Sequence, residues 1–132
     1  MIDATKFYIG GAWQSSASGV EKPVVDPATG EPITSVAIGT AADADLAVAA
    51  ARQAFPGYSR TTVAERLELL EAINARLVER NDEIAEAISS EMGAPIALAR
   101  EAQAPSGPQH FGEIIRILRA YAFEKAMGST LI

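Results

Sequence analysis

The stretch KPVVDPATGEPITSVAIGTAADADLAVAAARQAF, Lys22 to Phe55, holds a strand, a turn, a second strand and a helix in one line. PVV and ITSVAI are rich in β-branched residues and read as a strand pair. Between them, Asp26 can accept a local backbone bond, Pro27 presets φ near −65°, and Gly30 can turn left-handed. A ligand-cradling loop would need inward-pointing amides followed by a helix N-terminus. A strand follows instead, so the loop reads as a hairpin turn. The helix after it starts at Thr40 or at Ala42–Asp43, with acids in its first turn. Leu46, Ala50 and Ala54 share a face, beside Ala47, Ala51 and Phe55, and Pro56–Gly57 is expected to end it.

Upstream, KFYI and AWQ flank Gly10–Gly11. Both central positions of a two-residue type I′ turn need φ > 0, so this is a second hairpin. Trp13, the single tryptophan, reads as a packing anchor on it.

Downstream the chain is helical. Thr62 with Glu65 three residues on forms a capping box for TTVAERLELLEAINARLVERN. Leu70, Ile73 and Leu77 make its apolar stripe, with Leu67 and Leu69 beside it. Asn81 is expected to end that helix and cap the next, whose buried face carries Ile84 and Ile88. Gly93 suits its C-terminal stop, and Pro95 the first turn of a short helix to Gln103. APSGP is expected to break the chain again. QHFGEIIRILRAYAFEKA then forms a last helix, with Phe111, Ile114, Ile115, Leu118 and Tyr121 at helical spacing. The expectation is an α/β fold of two short antiparallel β pairs followed by about five helices. Four short strands make a poor sheet, yet the helices carry broad apolar faces, as if built for a surface these residues do not supply.

Composition removes several classes of function. Seventeen acids against eleven bases give a net charge of −6. With no run of bases, nucleic acid and anionic membrane surfaces are not expected partners. The absence of Cys excludes a disulfide, a thiolate zinc site and a Cys nucleophile within these residues, and the single His excludes a multi-histidine metal site. No apolar run nears the roughly 18 residues of a membrane span, and the first residues lack a signal-peptide pattern. A cytoplasmic location is the expectation.

Candidate chemistry is sparse. Neither GxGxxG nor GxxxxGK[ST] occurs. His110, with Ser106 and Glu113 near in sequence, is the one candidate for a hydrolytic base. It lacks a supporting motif and reads as a polar residue in a first helical turn. Glu65/Glu68 and Glu79/Glu83 alternate with Arg66, Arg76 and Arg80, which marks solvated, ion-paired helix faces rather than converging carboxylates.

The ordered set is more informative than any member. FYIGGAW (Phe7–Trp13), VVDPATGEPI (Val24–Ile33), ADADLAVAAARQAF (Ala42–Phe55), the TTVAERLELL helix start and EMGAPIALA (Glu91–Ala99) follow one another with spacing that resembles the start of the NAD(P)-dependent aldehyde dehydrogenase family. The resemblance covers essentially all 132 residues. It implies the N-terminal segment of the cofactor-binding domain, ending near the start of the oligomerisation strands. It implies oxidation of an aldehyde to an acid, with NAD or NADP in the complete enzyme, through a Cys-bound thiohemiacetal. The family's Cys, Glu, Asn and Gly-rich cofactor contact all lie further along, so no catalytic or cofactor-binding residue is expected in this segment. Some members bind a monovalent cation near the Pro turn. By that match the positions are the backbone carbonyls of Val24 and Val25 and the acid Glu91, although the usual acid-Thr-Gly triplet reads Glu91-Met92-Gly93 here.

The expected partner is the remainder of that fold, or self-association through exposed apolar helix faces. The rival reading is a free-standing helical interaction module that keeps the fold without the chemistry. Such a module needs a closed core of its own.

Overall fold

The computed structural model describes residues 4–128, 130 and 131. β1 (Lys6–Ile9) and β2 (Ala12–Ser15) pair antiparallel, Ile9 opposite Ala12. Gly10 and Gly11 have φ of 61° and 85°, the left-handed pair that a type I′ turn demands. β3 (Glu21–Val25) and β4 (Pro32–Ala37) form the second hairpin, with an irregularity between Val24 and Val25. The Ala37 amide donates to the Ala4 carbonyl at 3.1 Å and ties the second hairpin to the residues before the first.

α1 (Ala41–Tyr58) is capped by Thr40, whose hydroxyl accepts from the Asp43 amide while Asp43 reaches back to the Thr40 amide. Pro56 does not stop it. Proline removes one helical donor, and so near the end the helix still runs to Tyr58 and closes through the Ser59 amide on the Phe55 carbonyl at 2.8 Å. α2 (Val63–Glu79) carries the expected Thr62/Glu65 capping box. α3 (Asn81–Met92) follows after Arg80 alone and stops at Gly93, where φ is 74°.

Two expectations fail in the next segment. Asn81 does not cap α3: it is the helix's first residue, and the structure gives α3 no side-chain cap bond. Nor does APSGP break the chain. α4 (Ile96–Leu98), a π-helical turn (Ala99–Gln103) and α5 (Ala104–Ala120) follow without a gap, with Pro105 and Pro108 inside α5. The two failures share a cause. In the π turn the Ala104 amide bonds back five residues, to the Ala99 carbonyl. The next carbonyl, that of Arg100, falls to Pro105, which has no N–H to give. Asn81 Nδ2 donates to it instead, at 3.3 Å. A donor from α3 thus replaces the one that proline lacks, and the helix passes through the Pro-Gly stretch intact.

α5 ends at Ala120, short of the helix expected to Ala126, and Tyr121 turns extended with its ring edge-on to Phe123, centroids 4.8 Å apart. A small hairpin, β5 (Ala126–Met127) with β6 (Thr130–Leu131), follows. α2 packs on α5, and α3 on the π turn and α5. The buried apolar side chains among the described residues are Ala85, Ala99, Ala104 and Ile115. Ile84, Ile88 and Ala94 pack around the three alanines. Among the described residues, no helix is long and apolar enough to cross a membrane.

Candidate functional site

The DPATG loop is built as a turn. Asp26 Oδ1 accepts from the Ala28 amide at 2.7 Å, and the Asp26 carbonyl accepts from Gly30 at 2.7 Å. The Asp26 amide donates to Glu31 at 2.9 Å, so the loop closes on itself, with Gly30 at φ 76°. Its Pro27 ring rests on Gly93, at the C-terminus of α3. An open cleft of about 350 Å³ beside this contact is lined by Asp26, Ala28, Glu86, Ser89, Ser90 and Gly93 among others. Ser89 Oγ is held there by the Ala94 carbonyl at 2.8 Å and Ser90 Oγ by Ala87 at 3.1 Å.

The cation positions from the sequence fall on either side of this junction. Val24 and Val25 end β3, and Glu91 is exposed in the last turn of α3. Pro27 on Gly93 brings these two chain ends together. Among the described residues there is no group of three or more His, Cys, Asp or Glu side chains that could hold a metal ion.

His110 is exposed on α5, and the groups it would need are already engaged. Ser106 Oγ donates to the Gln103 carbonyl at 2.6 Å, and Glu113 pairs with Arg116. Those bonds leave no relay of hydroxyl, imidazole and carboxylate. The acidic helix faces are ion-paired in part: Arg76 with Glu79 and Arg80 with Glu83, all well exposed, while Glu65 accepts from Thr62 and Arg66 donates to Thr61 and Ser59 instead. Trp13 packs on Tyr8, ring centroids 5.2 Å apart, and remains half exposed.

One polar cluster was not foreseen. Asp43 is the buried charged residue among those described, only 5% exposed. Its Oδ2 accepts from the Thr40 amide and hydroxyl, both at 2.8 Å, and from Ser16 Oγ at 3.0 Å. Its Oδ1 accepts from the Ala17 amide at 3.0 Å. These donors, the Ala17 amide foremost, hold the carboxyl at a pKa of about 2. Asp43 therefore joins the loop after β2 to the first turn of α1. The capping half of this role was legible from Thr40 and Asp43 at i, i+3. The link to Ser16 and Ala17 has no local signal.

The cluster is fully satisfied and aims no free group outward, so it is structural. The larger openings are apolar. One lies between α2 and α3 over Ile73, Leu77 and Ile84, with Arg76, Arg80 and Glu83 at its rim. Another lies between the Gly10–Gly11 turn and the alanine face of α1. Large apolar side chains stand open along α1 and α5, with Phe55 65% and Ile114 51% exposed.

Comparison with known proteins places the chain in a family. A family model described as the aldehyde dehydrogenase family matches residues 13–130. A 3-succinoylsemialdehyde-pyridine dehydrogenase from Pseudomonas sp. is 45% identical over 133 aligned residues, which take in 100% of this chain and 28% of that protein. A variant of aldehyde dehydrogenase C from Pseudomonas syringae, solved with NAD+ and octanal, is 44% identical with a TM-score of 0.95, covering 98% of this chain and 27% of that one. An aldehyde dehydrogenase from Bartonella henselae is 35% identical with a TM-score of 0.93, with 98% and 27% covered. The chain spans little more than a quarter of the length of these relatives.

Proposed function

The chain belongs to the aldehyde dehydrogenase family, and on that premise we propose that it serves as the N-terminal segment of a cytoplasmic oxidoreductase that converts an aldehyde to a carboxylic acid with NAD(P). The observation that carries this is the mismatch between core and surface. Among the described residues the buried apolar side chains are three alanines and one isoleucine, while Leu46, Val48, Phe55, Tyr58, Ile114 and Ile117 stand open. Fully burying a Leu, Val or Phe side chain stabilises by roughly 1.5–3 kcal/mol. Half-exposure across many such residues forgoes an amount comparable to the whole stability of a domain, about 5–15 kcal/mol. Side chains of that kind belong under a cover, and the remaining fold of the family is that cover. A free-standing module would need a closed core, and the small side chains buried among the described residues do not make one.

Within this reading the segment supplies framework. It holds no Cys, so no thiolate among its residues can add to an aldehyde. The cofactor accepts the hydride in the complete enzyme, and NAD is supported by the NAD+ bound in the Pseudomonas syringae relative. No residue here is assigned to hold it. Val24, Val25 and Glu91 form the proposed monovalent-cation position, supported by the approach of the β3 turn to the end of α3. Oxygen donors suit such a hard ion.

The test has two arms. The isolated 132-residue chain with aldehydes and NAD+ is expected to yield no NADH; an aldehyde-dependent NADH signal from homogeneous chain overturns the framework role. Material recovered from the native host through a tag at residue 1 is expected to carry aldehyde-dependent NAD(P)H formation. Recovery of the chain with no such activity over a broad aldehyde panel overturns the oxidoreductase assignment.

A further inference from the structure

We draw no further inference here: the strongest candidate, the open apolar groove between α2 and α3 over Ile73, Leu77 and Ile84, shows nothing to indicate an occupant other than the remaining family fold already proposed as its cover.

Discussion

The Pro27 ring lies against the Cα of Gly93. A Cβ at position 93 would stand 2.8 Å from Pro27 Cγ and 3.5 Å from its Cβ, and Gly93 sits at φ 74°. Two constraints from different sources therefore meet at one residue. The helix needs a left-handed stop, and the turn of a distant hairpin needs a surface without a side chain. This contact seats the β3–β4 hairpin on the end of α3.

Gly93→Ala is expected to lose about 1–2 kcal/mol from the left-handed conformation alone, with the clash added to it. The urea midpoint of the far-ultraviolet helical signal should fall. Pro27→Ala relieves only the clash, so the double variant should lose less than the sum of the two single ones. Strict additivity would show that the ring does not constrain position 93.

Asp43 sets an acid limb. Its folded pKa of about 2 lies below the ordinary 3.8. The carboxylate therefore contributes stability that is fully present above about pH 4 and is lost as pH falls toward 2. Glu65, Glu83 and Glu113 are also depressed, by the Thr62 cap, Arg80 and Arg116 respectively, and act with the same sign. Asp43→Asn should lower the urea midpoint at pH 7 and flatten its fall between pH 4 and 2. An unchanged slope would remove Asp43 as the main acid-sensitive group.

The elements that were legible in the sequence are those whose cause lies within a few residues. Gly10–Gly11, the Asp26 turn, Thr62 with Glu65, and Gly93 each carry their own local reason, and each forms as expected. What the sequence hid beyond the helix end at Pro56 is non-local. Pro105 looked like a break because Asn81, the residue that takes over its missing hydrogen bond, lies 24 positions earlier in α3. Asp43 is the first-turn acid its position suggests, but its bonds to Ser16 and Ala17, reaching across the whole second hairpin, leave no local trace. The family was legible only in the order of motifs, since no single motif in the segment is specific on its own.

Asn81→Ala should cost about 1 kcal/mol, the scale of one hydrogen bond, and the loss should be local. Amide exchange should quicken around the π turn, at Ala99–Ala104, with α2 unaffected. Restoring a backbone donor through Pro105→Ala should recover most of it. If Pro105→Ala fails to rescue, the Arg100 carbonyl is not what Asn81 serves.

Arg66 clasps the junction of α1 and α2. Its Nε donates to Thr61 Oγ1 at 2.9 Å, its Nη2 reaches the Ser59 carbonyl at 3.4 Å, and its guanidinium lies 5.3 Å from the Tyr58 ring centroid. Lysine has neither the planar fork nor the stacking face. Arg66→Lys should therefore behave much like Arg66→Ala, losing about 1–2 kcal/mol and exposing residues 58–62 to protease. Full retention by the lysine variant would reduce Arg66 to a surface charge.

The open sides of α1 give the sharpest expectation for the isolated chain. Leu46 and Phe55 are 53% and 65% exposed, so an apolar dye should brighten on the chain and association should rise with concentration. Charge on an ordinary solvent-facing position is nearly neutral, within about 0.5 kcal/mol. Leu46→Glu and Phe55→Glu should instead act in opposite directions in two settings. In the isolated chain each should reduce dye binding and association, because each removes exposed apolar surface. In the longer or assembled enzyme recovered from the host they should cut the yield of active protein, because a carboxylate would then be buried without a partner. A sharply melting, dye-silent monomer would overturn the covered-face reading, and so would a host enzyme indifferent to both substitutions.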